Sequence, residues 1–417
     1  MQNTADTKNS SLSHKTHRHT QQQLRPPPPL SPVPAASTSG THRKIYKVHQ
    51  WKTYVMNSWS IFYPYFENLR LSRSPPILLI HHDSVGYDRR NCQPGILTWV
   101  EVEDDLDHHH LHRDPLMNLN LNLSPIFQES NTLFLGSVDG MVYLQKERKD
   151  SSYICNPITR ECMILPIPKK QHFRHDTAII TSCFGVGSIT KKYKVIRICQ
   201  QLGPVKLLEA EVYTIGTGGQ WRSLSLGDVP SWLGGDQLGR GCACCHAPFL
   251  NGHAHWTMYV KDCPEKIFVF DFDNETFKLF PSPPIGDIED SQINYKSLAV
   301  LKGCLWQSNT SGGNSEFTFW VMKEYGIKES WCKELVIGHR IARNLSGLII
   351  LPIDPIEHLR DGTILMVRYG EKLSGYSCEG RTIADTDYGF DHCFSAMAYR
   401  PSFLKLRNFE SEIVYVL

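Results

Sequence analysis

Long apolar runs are missing from this 417-residue chain. None approaches the ~18 to 20 consecutive residues a membrane helix needs, and the N-terminus has no apolar core of a secretory signal. The expectation is a soluble protein of the cytoplasm or nucleus, or of both. An excess of one charge is missing too. The 44 Lys plus Arg stand against 42 Asp plus Glu, a formal charge of +2, and no basic stripe of the kind a phosphate backbone demands is present. Neither nucleic acid nor a membrane is an expected partner. Catalytic signatures are equally scarce: the chain holds no G-x-S-x-G elbow, no G-x-x-x-x-G-K-[ST] loop and no H-E-x-x-H helix, which leaves the common nucleophile, phosphate and zinc chemistries without their usual carriers.

The 13 cysteines are an odd number, and most sit singly within apolar runs, as Cys183, Cys199, Cys304 and Cys332 do. Such cysteines behave as small buried hydrophobes in a reducing compartment. The cluster "CACCHAPFLNGHAHW" is the exception. Cys242, Cys244, Cys245 and His246 lie close together, but the second ligand pair a zinc site needs is represented only by the loosely placed His253 and His255. No metal is expected there, nor any cofactor elsewhere. The histidine run from Asp107 to His112 sits in a polar stretch and reads as a solvated loop, and so do the acids from Glu101 to Asp107.

What the chain does contain is short strands. Residues 1–45 are Gln, Ser, Thr, His and Pro with almost no aromatic or branched residues, so they bury too little surface to offset the entropy of ordering, and a disordered tail is expected. Its Ser/Thr content would suit an organelle transit peptide, which the proline run opposes. From Ile77 onward, stretches such as "ILLIHH", "YKVIRICQ", "KIFVFDF" and "TILMVRY" alternate with Gly, Pro, Asn and Asp, without a sustained helical period. The body reads as all-β.

Two kinds of unit alternate along it. One is an apolar strand, an acid or amide, two residues and Thr: Asn156 with Thr159, Asp273 with Thr276, Glu379 with Thr382. The other is a strand, a Gly-containing turn and Trp, marked by Trp221 and Trp331, with Trp99 grouped alongside. The markers at 156, 221, 273, 331 and 379 give steps of 65, 52, 58 and 48 residues. Propeller blades of the kelch type repeat every ~50 residues, with four strands in each. The spacing therefore predicts a kelch-like β-propeller of about six four-stranded blades over residues 72–410, in preference to a two-domain sandwich. "FTFWVMKEYGIKESWCKELVI", residues 317–337, is then an outer hairpin with Trp331 packed between blades. Asp139-Gly140 and the "GTGGQW" stretch ending at Trp221 read as further hairpin turns.

A propeller can also carry a hydrolase, which would need two carboxylates aimed into the channel. Asp271, Asp273 and Glu275 alternate in sequence. They read better as a turn at the strand end, and the chain is not expected to be an enzyme.

"GSVDGMVYL", "YICNPITRECMILPIP", "FGVGSITKKYKVIRI", "EVYTIGTGGQWRSL", "LNGHAHW", "IFVFDFDNETFKLFPSPP", "FWVMKEYGIKESWCKELVI" and "LMVRYGEKLSGYSCEGRTI" follow one another here. In that order they resemble the plant F-box associated domain over roughly residues 72–405. The resemblance implies a substrate-recognition subunit of an SCF-type E3 ubiquitin ligase, with the F-box on a Skp-type adaptor and cullin scaffold and the associated domain on a target protein. Residues 46–71 resemble only the end of an F-box. Val48, Trp51 and Lys52 fit its central block and Tyr65, Phe66 and the "LSRSPP" stretch fit its tail, while the Leu-Pro helix that opens the family's F-box has no counterpart. Val48, Trp51 and Phe66 are thus the adaptor-binding remnant that the resemblance implies. The alternative is an interaction or decoy propeller without adaptor contact. The target and its binding residues are unknown from the sequence.

Overall fold

Two-residue turns begin several of the sheets. Asp139 and Gly140 have φ of 50° and 76°, Asn251 and Gly252 50° and 75°, Lys302 and Gly303 48° and 74°. Positive φ at both positions is the type I′ geometry whose twist matches that of the flanking strands, and glycine adopts it without strain. At Gly140 space matters as well, since a Cβ there would lie 2.4 Å from Ser402.

The computed structural model describes residues 77–82, 97–102, 111–112, 132–146, 151–167, 177–201, 208–224, 247–257, 267–285, 293–311, 317–337, 353–359, 361–368, 372–379, 381–389, 394–409 and 411–416. Contacts divide the chain into residues 1–69 and 70–417, and all described residues belong to the second unit. They form six antiparallel sheets. Sheet 1 joins β24 (Phe394–Tyr399), β1 (Ile77–His82), β2 (Leu97–Val102) and β3 (Leu111–His112). Sheet 2 runs β4 (Thr132–Val138), β5 (Met141–Lys146), β6 (Ser152–Asn156), β7 (Glu161–Ile164) and a fifth strand, β25 (Val414–Val416). Sheet 3 comprises β8 (Thr177–Val186), β9 (Tyr193–Gln201), β10 (Leu208–Thr214) and β11 (Arg222–Ser223). Sheet 4 comprises β12 (Phe249–Leu250), β13 (His253–Thr257), β14 (Ile267–Asp271) and β15 (Thr276–Phe280). Sheet 5 comprises β16 (Ile293–Leu301), β17 (Cys304–Ser311), β18 (Phe317–Met322) and β19 (Trp331–Ile337). Sheet 6 comprises β20 (Ile353–His358), β21 (Ile364–Arg368), β22 (Lys372–Ser377) and β23 (Thr382–Gly389).

Side chains alternate faces along a strand, and here both faces are covered. On β14, Phe268 and Phe270 pack with Ile196 and Val212 of sheet 3, while Ile267 and Val269 pack with Leu305 and Trp331 of sheet 5. On β5, Val142 and Leu144 face sheet 1 beside Leu79 and Met397, whereas Met141 and Tyr143 face sheet 3 beside Val195 and Tyr213. Phe319 of sheet 5 joins Ile364 and Met366 of sheet 6, and Leu365 and Leu373 of sheet 6 join Leu78 and Val100 of sheet 1. Each sheet thus shares one core with the sheet before it and another with the sheet after it. The ring closes on sheet 1, where β24 from the end of the chain pairs with β1 in a register running from Ile77 opposite Tyr399 to His82 opposite Phe394. This is the all-β propeller that the spacing predicts.

The two alternating units are real, with two corrections. In sheets 4 and 6 the third and fourth strands pair Asp271 with Thr276 and Ser377 with Thr382 around four-residue loops. In sheet 2 the same loop joins Asn156 to Glu161. The counterpart of Asp273 and Glu379 is therefore Ile158, and the Asn156 unit is displaced by two residues from the grouping made in sequence. The fourth loop residue is left-handed in all three, Arg160, Glu275 and Arg381. In sheets 3 and 5 the loop is longer and brings in Trp. Trp221 Nε1 donates to the Pro166 carbonyl at 2.6 Å and Trp331 Nε1 to the Pro281 carbonyl at 3.0 Å, each proline lying just past the fourth strand of the preceding sheet. Trp99 is not their equivalent. It lies within β2, the third strand of its sheet, opposite Leu79.

Candidate functional site

The turn between β14 and β15 carries the three carboxylates weighed for catalysis. Asp271 ends β14 and accepts the amides of Asp273 at 2.9 Å and Asn274 at 3.1 Å, along with the Asn274 side-chain amide at 3.0 Å. Asp273 reaches the β8–β9 turn of sheet 3, where it accepts the amide and hydroxyl of Thr190, both at 2.8 Å, and the amide of Ile189 at 3.1 Å. Glu275 pairs with Lys194 at 2.9 Å and with Arg222. Burial opposes the ionisation of each, but donors outweigh it: Asn274 lowers the Asp271 pKa, Thr190 that of Asp273, and Lys194 that of Glu275. A glycosidase-type pair needs one carboxyl held up as an acid. None of these three is; Asp273 and Glu275 fasten sheet 4 to sheet 3, while Asp271 holds the turn within sheet 4.

The neighbouring histidines are also committed. His255 is fully buried on β13. Its Nδ1–H donates to the Pro248 carbonyl at 3.1 Å and its Nε2 accepts the Tyr325 hydroxyl at 2.9 Å, which fixes a neutral tautomer. Burial first, then His253, takes its pKa down to about 3. His253 Nδ1 donates to the Asn251 carbonyl at 2.8 Å and its Nε2 lies 3.6 Å from Asp271. Cys242, Cys244, Cys245 and His246 lie outside the described residues, among which no group of three or more candidate metal ligands occurs. Val48, Trp51 and Phe66 also lie outside the described residues.

Sequence reasoning missed two features. Arg197 is fully buried on β9 yet paired, with Nε 2.8 Å and Nη2 2.6 Å from Glu211 Oε2 and its guanidinium carbon 4.3 Å above the Trp221 ring. The second is a C-terminal strap that crosses from sheet 1 to sheets 2 and 3. The Asn156 side-chain amide donates to the carbonyls of Ser402 and Leu404, at 3.0 and 2.7 Å. Glu161 accepts the Leu406 amide at 2.6 Å and pairs with Arg407 at 3.3 Å. Glu412 accepts the Tyr213 hydroxyl and the Gly216 amide, both at 2.8 Å, and β25 then adds to β7 with Tyr415 opposite Cys162. The final strand thus lies beyond residue 410, where the sequence-based boundary fell.

The profile of the F-box associated beta propeller domain matches residues 106–349, more than half of the chain. The chain belongs to this family. An F-box protein of Arabidopsis thaliana, At3g07870, is 29% identical over 254 residues, covering 56% of this chain and 57% of that protein. The F-box/kelch-repeat protein At3g23880 of Arabidopsis thaliana is 25% identical over 267 residues, covering 64% and 66%. The chain thus spans less than two thirds of the length of either relative. Apo AztD of Citrobacter koseri, a solved structure, has a TM-score of 0.35 at 9% identity, covering 78% of this chain and 99% of that one, a likeness too small to build on. In this F-box associated propeller, the Trp–Pro clasps of sheets 3 and 5 and the acidic turn of sheet 4 join neighbouring sheets.

Proposed function

We propose that this F-box associated propeller is the target-recognition part of an SCF-type E3 ubiquitin ligase, acting in the cytoplasm or nucleus. The family match over residues 106–349 carries the reading, and the names of both curated relatives support it. In this reading residues 46–71 are the F-box portion, with Val48, Trp51 and Phe66 facing a Skp-type adaptor that connects to a cullin, and residues from 72 onward hold the target protein. The propeller selects and the partner complex performs the transfer, so the chain supplies no catalytic group.

Residues 46–71 have room for one or two short helices, and isolated helices under ~12 to 15 residues are marginal in water. The chain as it stands is therefore expected to bind adaptor weakly or not at all, and a version carrying the family's Leu-Pro helix ahead of Val48 is expected to bind it. A pull-down with purified Skp-type adaptor compares the two. Strong recovery only with the added helix supports the ligase reading. No recovery with either form would favour an adaptor-free interaction protein.

A further inference from the structure

Cys155 on β6 and Cys162 on β7 stand directly opposite each other. The Leu165 amide donates to the Ser152 carbonyl at 2.9 Å, so residues 152 and 165 form a hydrogen-bonded pair and, three residues along, the two cysteines fall on a non-hydrogen-bonded one. At such positions opposing Cα atoms are ~4.5 Å apart and side chains are at their closest, a separation inside the ~4.4–6.8 Å range of disulfides. The Sγ atoms are 2.7 Å apart. Both cysteines are free, fully buried and part of the core shared with sheet 1.

We propose that Cys155 and Cys162 are a covalent modification site, a dithiol that closes reversibly to a cross-strand disulfide with hydrogen peroxide as oxidant. The Cys162 thiolate attacks one peroxide oxygen; the O–O bond breaks, hydroxide leaves and is protonated to water, and Cys162 becomes a sulfenic acid. Cys155 sulfur then attacks that sulfur, the S–O bond breaks, and a second water leaves with the Cys155 proton. Two thiols and one peroxide give one disulfide and two waters. A dithiol reductant reverses the step by exchange.

Access is governed by β25. Only three residues long, it covers the β7 edge with Tyr415 opposite Cys162, and Tyr415 and Val416 are 45% and 63% exposed. When β25 frays, β7 becomes the edge of its sheet and Cys162 meets solvent. In the closed state burial holds the Cys155 thiol well above its ordinary range, which keeps that sulfur protonated until the edge opens.

The full chain is treated with hydrogen peroxide, denatured, alkylated and mapped by peptide mass. The expected product is a Cys155–Cys162 link, lighter than the dithiol by about 2 Da and lost with dithiothreitol. The variant Tyr415→Pro, which breaks β25, is expected to form it several-fold faster. Cys155→Ser is expected to leave a sulfenic acid on Cys162 that dimedone traps. Recovery of both cysteines as alkylated thiols, linkage to a different cysteine, an unchanged rate in Tyr415→Pro, or no trapped sulfenic acid would overturn the proposal.

Discussion

His255 and Trp331 show what single residues contribute. The unfolded imidazole titrates near 6.5 and the folded one near 3, so between those values the unfolded state holds the extra proton and acid favours unfolding. Urea-unfolding free energy is expected to fall as pH drops below 6.5, by at most about 1.4 kcal/mol per unit, and His255→Gln is expected to lose most of that slope. An unchanged slope in the variant would place the titration elsewhere. Trp331 is buried between sheets 4 and 5 and donates to Pro281. Trp331→Phe is expected to cost about 1 kcal/mol, the net worth of one hydrogen bond, and Trp331→Ala about 3 to 5 kcal/mol through the cavity. Equal losses in urea melts for the two would show that the indole N–H, not the ring, dominates. The role of Trp331 was legible because its strand, turn and spacing all point to one hairpin. Trp99 was misgrouped because spacing alone does not distinguish a Trp inside a third strand from one beginning a fourth.

At the scale of elements, the strands were legible because both faces of each sheet are buried, which writes near-continuous apolar runs such as Ile267–Phe270 into the sequence. The Asp139-Gly140 turn was legible from its residue types, and Asn251-Gly252 carries the same signal. The strap was not. Its partners lie about 200 to 250 positions earlier in the chain, as with Glu412 and Tyr213 or Leu406 and Glu161, and β25 has only three residues. No local pattern encodes such contacts. Glu412→Ala leaves the Tyr213 hydroxyl and Gly216 amide without this acceptor, and is expected to cost about 1 to 3 kcal/mol and to speed hydrogen exchange at Gly216. Glu412→Gln, which keeps a carbonyl oxygen, is expected to recover part of the loss. Exchange at Gly216 unaltered by Glu412→Ala would show that the strap does not hold this turn.

For the whole molecule, the repeat spacing found the alternation but placed the Asn156 unit two residues off, because an Asn and a Thr recur there by composition while pairing partners define the true register. The order of quoted motifs pointed to the family that the match over residues 106–349 shows. Of the carboxylates and histidines that sequence offered for chemistry, Asp273, Glu275 and His255 join neighbouring sheets, a use that depends on neighbours distant in the chain, while Asp271 and His253 are held within sheet 4. The central claim is that these sheets form one closed ring and that β24 closes it by pairing with β1. The most direct test is thermal unfolding of the full chain beside a chain ending at His392, which lacks β24 and the strap. The full chain is expected to melt in one cooperative transition, and the shortened chain to lose that transition together with hydrogen-exchange protection in all six sheets. A shortened chain that melts cooperatively within about 1 °C of the full one, a shift smaller than ~1 kcal/mol produces in a domain of this size, would contradict the closed ring.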